Sequence, residues 1–251
     1  MRFFNVYQFT APVAFMILGY SLWLRRFSGD HRMVLLVLSV PVVFGYVIPA
    51  LGANALKLWE INTRFRIGRI RPHHGFVFGS AAALIALLCV DTSRVELTAF
   101  SLFRSAFVVG SVIAFWNWLY DGNAIRAGFI MVYNRPWAEN AGPDTIAADH
   151  APVLFGTFGA CYGAAIVVDV HVLVERGLWG QYWTLLAATN AVALVVPVLA
   201  YVALSYLRRG ECGLRSYADT PGREPASERA EPRRKSSSRD RTEAQPSSML
   251  Q

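Results

Sequence analysis

Six long apolar stretches dominate this sequence, and they restrict the folds that it can adopt. They cover residues 3–24, 33–56, 74–90, 102–120, 151–174 and 182–207. A helix needs about 20 apolar residues to cross a bilayer. Because lipid offers no hydrogen-bonding partners, a crossing segment must satisfy its backbone groups internally, as a helix does. The sequence therefore predicts an all-α, polytopic transmembrane helix bundle of about six spans, without a sheet.

For any single stretch, the alternative is a buried helix of a soluble protein. The chain has 251 residues and is 54% hydrophobic. A soluble domain can be equally apolar, but its apolar residues do not come in runs of this length. The first stretch is too long for a signal peptide, and Arg25 and Arg26 follow it instead of a small-residue cleavage site. We therefore interpret the first stretch as a retained helix.

The distribution of basic residues predicts the orientation of the bundle. The formal net charge is +7, and arginine is frequent in the segment 57–73 and in the C-terminal region. An even number of spans places both termini and the 57–73 and 121–150 loops on one side, which the positive-inside rule assigns to the cytoplasm. The arginines of the first loop, Arg25, Arg26 and Arg32, argue against this assignment. The sequence thus predicts an integral, multi-pass membrane protein with cytoplasmic termini, but the first loop leaves the orientation open.

The composition changes sharply after the last apolar stretch. Residues 1–209 form the predicted transmembrane helical domain, and residues 210–251 are rich in Arg, Glu, Ser and Pro. A segment with so few large apolar residues cannot bury enough surface to fold, so we expect a disordered polar tail. We expect membrane lipid to surround the helical domain, and we expect no nucleic-acid partner.

Small residues recur at intervals of three and four in the third and fifth stretches. Gly75 and Gly79 lie in the third stretch, and Gly156, Gly159 and Gly163 lie in the fifth. Such a face lets helix backbones approach closely in lipid. Two arrangements are compatible with this pattern: the two stretches pack against each other, or each packs against a different neighbour.

Polar residues that are rare elsewhere collect at the ends of three stretches. His73 and His74 open the third, Asp121 closes the fourth, and Asp149 and His150 open the fifth. Because successive spanning helices alternate in direction, these ends lie on the same membrane face whatever the orientation. Such residues often serve only as helix caps or as headgroup contacts, but their recurrence at three ends of one face predicts a polar cluster.

This cluster is suited to acid–base chemistry at the membrane boundary. A histidine beside a carboxylate can accept or donate a proton near neutral pH, so His74, Asp121 and His150 are the candidate catalytic residues. Arginine binds phosphate or carboxylate through two hydrogen bonds, and Arg126 and Arg135 are predicted to bind the anionic group of a substrate; Arg69 and Arg71 are alternatives. The remaining candidate binding residues are Asn117, Asn123, Glu139 and Asp149.

A metal centre is a weaker hypothesis for the same residues. Imidazole and carboxylate ligands suit zinc, iron or manganese. However, the sequence has neither a His-x-x-His nor a Glu-x-x-His spacing, and its cysteines are scattered at positions 89, 161 and 212. We therefore predict no metal ligands, and the sequence does not identify a cofactor.

Two functional hypotheses from different classes follow. The first is an integral membrane enzyme of lipid metabolism that modifies a lipid or isoprenoid-like substrate at the cytoplasmic interface by His/carboxylate acid–base chemistry. The longest connection, residues 121–150, supplies much of this candidate site, and loops of this length often bind ligands. The alternative is a non-enzymatic membrane protein, either a small-solute transporter or an assembly subunit of a membrane complex.

Overall fold

The structure is a computed structural model that describes residues 2–92 and 96–219. It is mostly helical, with 74% of the described residues in helices. In chain order, the α-helices of the described residues are α1 (Arg2–Arg26), α2 (His31–Pro49), α3 (His74–Cys89), α4 (Ala99–Arg126), α5 (Arg135–Ala138), α6 (Pro143–Ala148), α7 (Ala151–Asp169) and α8 (Tyr182–Arg209). Helix α2 continues as a π-helix over Ala50–Ala55, helix α7 as a π-helix over Val170–Glu175, and a 3-10 turn, Trp179–Gln181, precedes α8.

Four helical segments of the described residues are long and apolar enough to cross a membrane. They are His31–Ala55, Ala99–Arg126, Pro143–Glu175 and Trp179–Arg209. Helix α3 is also apolar but has 16 residues, which span about 24 Å at 1.5 Å per residue against a hydrocarbon core of about 30 Å. The predicted apolar helical architecture is thus confirmed at the level of these four segments.

The helix ends follow local sequence signals. The Asp30 carboxylate accepts hydrogen bonds from the Arg32 and Met33 amides at the start of α2. Thr98 and Ser101 form a reciprocal capping box at the start of α4. Gly210 has a φ of 69° and ends α8 in the left-handed conformation that glycine adopts without strain. These caps determine where α2 and α4 begin and where α8 ends.

The prediction of a chain without a sheet is wrong. Strands β1 (Trp59–Ile61) and β2 (Ile130–Val132) pair antiparallel, with Glu60 opposite Met131. They belong to the 57–73 and 121–150 loops, which therefore meet at one end of the helices. Outside the apolar segments the backbone groups of these loops still need hydrogen-bonding partners, and each loop supplies them to the other.

Helices α4 and α7 pack with their backbones in close contact. A Cβ atom added at Gly163 would lie 2.6 Å from the Ser105 carbonyl oxygen, and one added at Gly110 would lie 2.8 Å from the Gly156 carbonyl oxygen. Only glycine leaves room for this approach, which is how small residues promote helix association. The small-residue face of the fifth apolar stretch is therefore directed at the fourth stretch.

The small-residue face of the third stretch packs instead against α2. A Cβ atom at Gly79 would lie 2.8 Å from the Val42 backbone, and one at Gly75 would overlap the Tyr46 ring. The direct pairing of the third and fifth stretches is therefore wrong, and the alternative, in which each packs against a different neighbour, is confirmed. The pattern identified the packing face but carried no information about the partner helix.

A second hydrophobic cluster lies among the loops, separate from the main cluster between the helices. It includes Phe4 from α1, Ile61 from β1, and Phe129 and Tyr133 from the 121–150 loop. We call it the loop core. Because α1 contributes to it, the N-terminal helix is tied to the same end of the molecule as the paired strands.

The C-terminal segment 210–219 packs against the loop core. The Tyr217 amide donates to the Tyr133 carbonyl oxygen at 2.8 Å, and the Ser216 hydroxyl donates to the Lys57 carbonyl oxygen at 2.7 Å. Ala218 is buried. These residues belong to the predicted tail, and the structure shows them in contact with the helical domain. The rest of the predicted tail, residues 220–251, lies outside the described residues.

Candidate functional site

Asp121 and His150 form a hydrogen-bonded pair between the end of α4 and the start of α7. The His150 Nε2 atom lies 3.1 Å from Asp121 Oδ2, and the two side chains are 17% and 12% exposed. If Nε2–H donates to the carboxylate, the other ring nitrogen, Nδ1, carries a lone pair. Nδ1 is buried and has no hydrogen-bond partner among the described residues. Two of the three predicted catalytic residues thus come together.

The glycine contacts between α4 and α7 explain why this pair forms. They bring the two helices so close that the last turn of α4 and the first turn of α7 are adjacent. Short helix α6 closes the same corner, because a Cβ atom at Gly122 would lie 2.9 Å from the Asp144 carboxylate. The position of the pair is therefore determined by backbone packing and not by the flexible part of a loop.

His74, the third predicted catalytic residue, has different partners. Its Nδ1 atom lies 3.2 Å from Arg71 Nη2, which donates the hydrogen bond, and its ring packs against Trp59 with the ring centroids 5.4 Å apart. Within the described part of the chain it has no hydrogen bond to Asp121 or His150. The structure thus separates the predicted cluster into an Asp121–His150 pair and an Arg71–His74 pair.

Arg71 is a buried arginine that forms no salt bridge with the described residues. Its side chain lies at 2% exposure with the guanidinium carbon 5.5 Å from the centre of the Phe129 ring. Its Nε and Nη1 atoms are buried without hydrogen-bond partners, and no salt bridge to it exists among the described residues. Burial lowers the pKa of the guanidinium from its ordinary value, whereas Tyr120 and Tyr7 raise it. An uncompensated buried cation is costly, so this site is unusual.

The two arginines predicted to bind an anion already have anionic partners. Arg126 Nη2 donates to both Asp144 carboxylate oxygens, at 2.9 and 2.8 Å, and Arg135 binds Glu139 at 2.7 Å and Glu211 at 3.2 Å. The pKa of the Glu211 carboxyl is lowered by hydrogen bonds from the Tyr217 hydroxyl and from Arg135. The binding role of both arginines stays a prediction, and in this arrangement each is paired within the chain.

The remaining predicted binding residues also have partners inside the protein. Asn117 and Asn123 donate to the carbonyl oxygens one turn earlier in α4, at 2.9 and 2.8 Å. Asp149 is buried, binds Arg209 of α8 in an ion pair, and accepts a hydrogen bond from Asn134 at 3.1 Å. The Asp149 contacts connect the end of the 121–150 loop to α8, and a ligand role for any of the three residues stays a prediction.

His73, which sequence analysis placed beside His74, connects the loop to α1. Its Nε2–H donates to the Gln8 carbonyl oxygen at 2.7 Å, and its ring packs against Phe9 and Phe65. Burial lowers the pKa of His73, with a further decrease from nearby Arg71, while the hydrogen bond to Gln8 raises it. Since a carbonyl oxygen needs a donor, this contact does not depend on a charged imidazole.

No group of three or more His, Cys, Asp or Glu residues in the described ranges is arranged to hold a metal ion. Comparison of the chain with protein-family models, curated proteins and solved structures found no match. The features that bear on function are therefore the Asp121–His150 and Arg71–His74 pairs and their position at the ends of apolar helices.

Proposed function

We propose that this protein is a multi-pass membrane enzyme that modifies a lipid or isoprenoid-like substrate at the cytoplasmic interface. The observation that carries the proposal is the partly buried hydrogen bond between His150 Nε2 and Asp121, together with a His150 Nδ1 atom that has no hydrogen-bond partner among the described residues. A histidine held by a carboxylate through one ring nitrogen is a general base at the other. Both residues lie at ends of helices that are apolar enough to face lipid.

In this proposal His150 Nδ1 takes a proton from a hydroxyl or an activated carbon of the substrate. The imidazolium that forms is stabilised by Asp121, which keeps its hydrogen bond to Nε2–H throughout. The proton then returns to the product, so the step is balanced within the enzyme–substrate complex. His74 lies at the start of α3 on the same side and acts as a second acid–base group. Transferases, isomerases and hydrolases can all use this chemistry.

The membrane position belongs to the same proposal. We propose six spans, formed by the four long apolar segments together with α1 and α3, and cytoplasmic termini. Large apolar side chains cover the outside of α4, including Phe100 at 73% and Phe103 at 66% exposure. An apolar surface of this kind indicates contact with lipid or with another protein. The shorter α3 packs against α1 and α2, which reduces its own contact with lipid.

The proposal is tested by comparing the lipids of host membranes that contain either the wild-type protein or the double variant Asp121→Asn/His150→Gln at equal expression. Untargeted mass spectrometry should show a lipid or isoprenoid species that is consumed or formed only with the wild type. Identical lipid profiles, together with a stoichiometric protein partner after detergent extraction, would instead favour the assembly-subunit hypothesis. Uptake of a solute into vesicles would favour the transporter.

A further inference from the structure

We propose that Arg71 binds a phosphate group, and that Tyr120 and Tyr7 contribute to the same site. This inference rests on the proposed function, because it specifies which anionic group the substrate carries. It assigns the anion-binding role to Arg71 in place of Arg126 and Arg135. The ligand chemistry is a phosphate or diphosphate, and it is supplied either by the headgroup of an amphiphile or by free phosphate.

The first argument is the unused hydrogen-bonding capacity of the guanidinium. One donor, on Nη2, is bound to His74 Nδ1 at 3.2 Å. Nε and Nη1 are buried and have no acceptor among the described residues. Buried polar groups are nearly always satisfied in folded proteins, and an exception indicates a bound ion, water or ligand. A neutral water molecule does not balance the charge of a buried cation, so the expected partner of Arg71 is an anion.

The second argument is the electrostatic environment of Arg71. The hydroxyls of Tyr120 and Tyr7 favour its charged form, its charge also acts on His73 and His74, and among the described residues no carboxylate forms a salt bridge with it. The buried Tyr120 hydroxyl lies close to the guanidinium and interacts with it directly. A neutral hydroxyl donates to an oxyanion without competing for the arginine. Among the described residues, the site therefore has one buried positive charge that no salt bridge neutralises, and it has several donors; the Asp121 carboxylate acts on Tyr120 and is hydrogen-bonded to His150.

The geometry favours a phosphate over a carboxylate. A planar carboxylate is bound by two parallel N–H groups on one edge of a guanidinium. In Arg71 the unpartnered nitrogens Nε and Nη1 lie on different edges, and the Tyr120 hydroxyl adds a donor from another helix. Oxygens that are arranged tetrahedrally around phosphorus, or spread over a diphosphate, reach donors in several directions.

The position of the site suits an amphiphilic ligand. Phe4 and Tyr7 of α1 contact Tyr120 of α4 through their rings, with centroids 5.4 and 5.8 Å apart. The wall of the site at this point consists of aromatic side chains, which can change rotamer more easily than a packed backbone can move. When the phosphate headgroup of an amphiphile enters between α1 and α4, the apolar chain of the same molecule lies against the outer surface of these helices.

The test measures the binding of defined phosphate compounds to the full-length protein in detergent. The probes are inorganic phosphate, diphosphate, phosphatidic acid, and diacylglycerol as the uncharged control. At saturation, a phosphate ligand should raise the melting temperature of the wild type by about 5 °C. A shift with phosphatidic acid alone identifies a lipid headgroup, a shift with the inorganic compounds identifies free phosphate, and both results support the site.

Variants show whether Arg71 carries the binding. Arg71→Gln should weaken phosphate binding by about tenfold to a hundredfold, whereas the matched variant Arg126→Gln should bind as the wild type does. If Arg71→Gln does not fold, Arg71→Lys and Tyr120→Phe take its place. Lysine keeps the charge but loses the directional donors of arginine. Each of these two variants should bind phosphate more weakly than the wild type. No shift with any probe in the wild type, or unchanged binding in these variants, would overturn the proposal.

The same experiment separates this inference from the proposed function. His150→Ala leaves Arg71 and its neighbours intact and should bind phosphate normally. Phosphate binding without any change in membrane lipids would retain the Arg71 site and reject the enzyme. A change in lipids that depends on His150, without phosphate binding, would retain the enzyme and reject the Arg71 site.

Discussion

Replacing His150 with alanine is expected to lower the rate of the proposed reaction by about 10²-fold to 10⁴-fold, the usual contribution of a positioned general base. The reason is that Nδ1 of His150 is the proposed proton acceptor, and the hydrogen bond from Nε2 to the Asp121 carboxylate orients the ring. Rates would be measured on the purified protein in detergent, with the lipid species identified in host membranes as the substrate. Asp121→Asn should also lower the rate, because an amide can hold the imidazole in the wrong tautomer.

His171→Ala is the matched control for this substitution. His171 lies in the π-helix that follows α7, at the opposite end from His150, and it contacts Glu175 at 3.0 Å. Its replacement should leave the rate unchanged. Two results would count against the proposed role of His150: a variant with the full rate, or a loss of rate that merely follows a loss of folded protein.

Replacing Gly163 with leucine is expected to destabilise the protein by at least about 3 kcal/mol, the upper part of the range for overpacked cores. A Cβ atom at this position would lie 2.6 Å from the Ser105 carbonyl oxygen and 2.9 Å from Val109 Cβ. The nearest atom belongs to the backbone of α4, so the clash requires the two helices to separate. Because these helices position Asp121 and His150, the pair should also be lost.

Gly180→Leu is the corresponding control, since a Cβ atom at Gly180 would meet nothing within 4 Å. Melting temperatures in detergent should be markedly lower for Gly163→Leu and nearly unchanged for Gly180→Leu. Equal melting temperatures would mean that α4 and α7 are not in close contact, and the geometric basis of the Asp121–His150 pair would be absent.

Some of the site is predictable from the sequence because it depends on helix length and direction. Because successive spanning helices alternate in direction, the end of one apolar stretch lies on the same membrane face as the start of the next. This rule predicted that Asp121 and His150 belong to one cluster. Local signals such as the Asp30 carboxylate and Gly210 likewise mark helix ends. These features depend on residues close in sequence or on the number of crossings.

The rest of the site depends on pairings between distant residues, which leave no periodic signal. The Arg126–Asp144 ion pair and the β1–β2 pairing are of this kind, and each loop sequence alone is compatible with several partners. The prominence of Arg71 has the same origin. Its loop contains several arginines, and only the fold shows that Arg71 is buried and forms no salt bridge with the described residues.

The central claim is that the 57–73 and 121–150 loops lie on one membrane face, so that Arg71, His74, Asp121 and His150 act on one substrate. The most direct measurement is labelling of single cysteines with a membrane-impermeant maleimide in vesicles of known orientation. Cys89 and Cys161 are replaced by alanine in every protein. One protein keeps exposed Cys212 as its single cysteine, and in the remaining proteins Cys212 is replaced by serine. Exposed positions then receive one cysteine each, at Arg64, Glu139 and Arg25.

The proposed topology predicts that the cysteines at positions 64, 139 and 212 react from the cytoplasmic side, and that the cysteine at position 25 reacts from the opposite side. Labelling of positions 64 and 139 from opposite sides of the membrane would contradict the account.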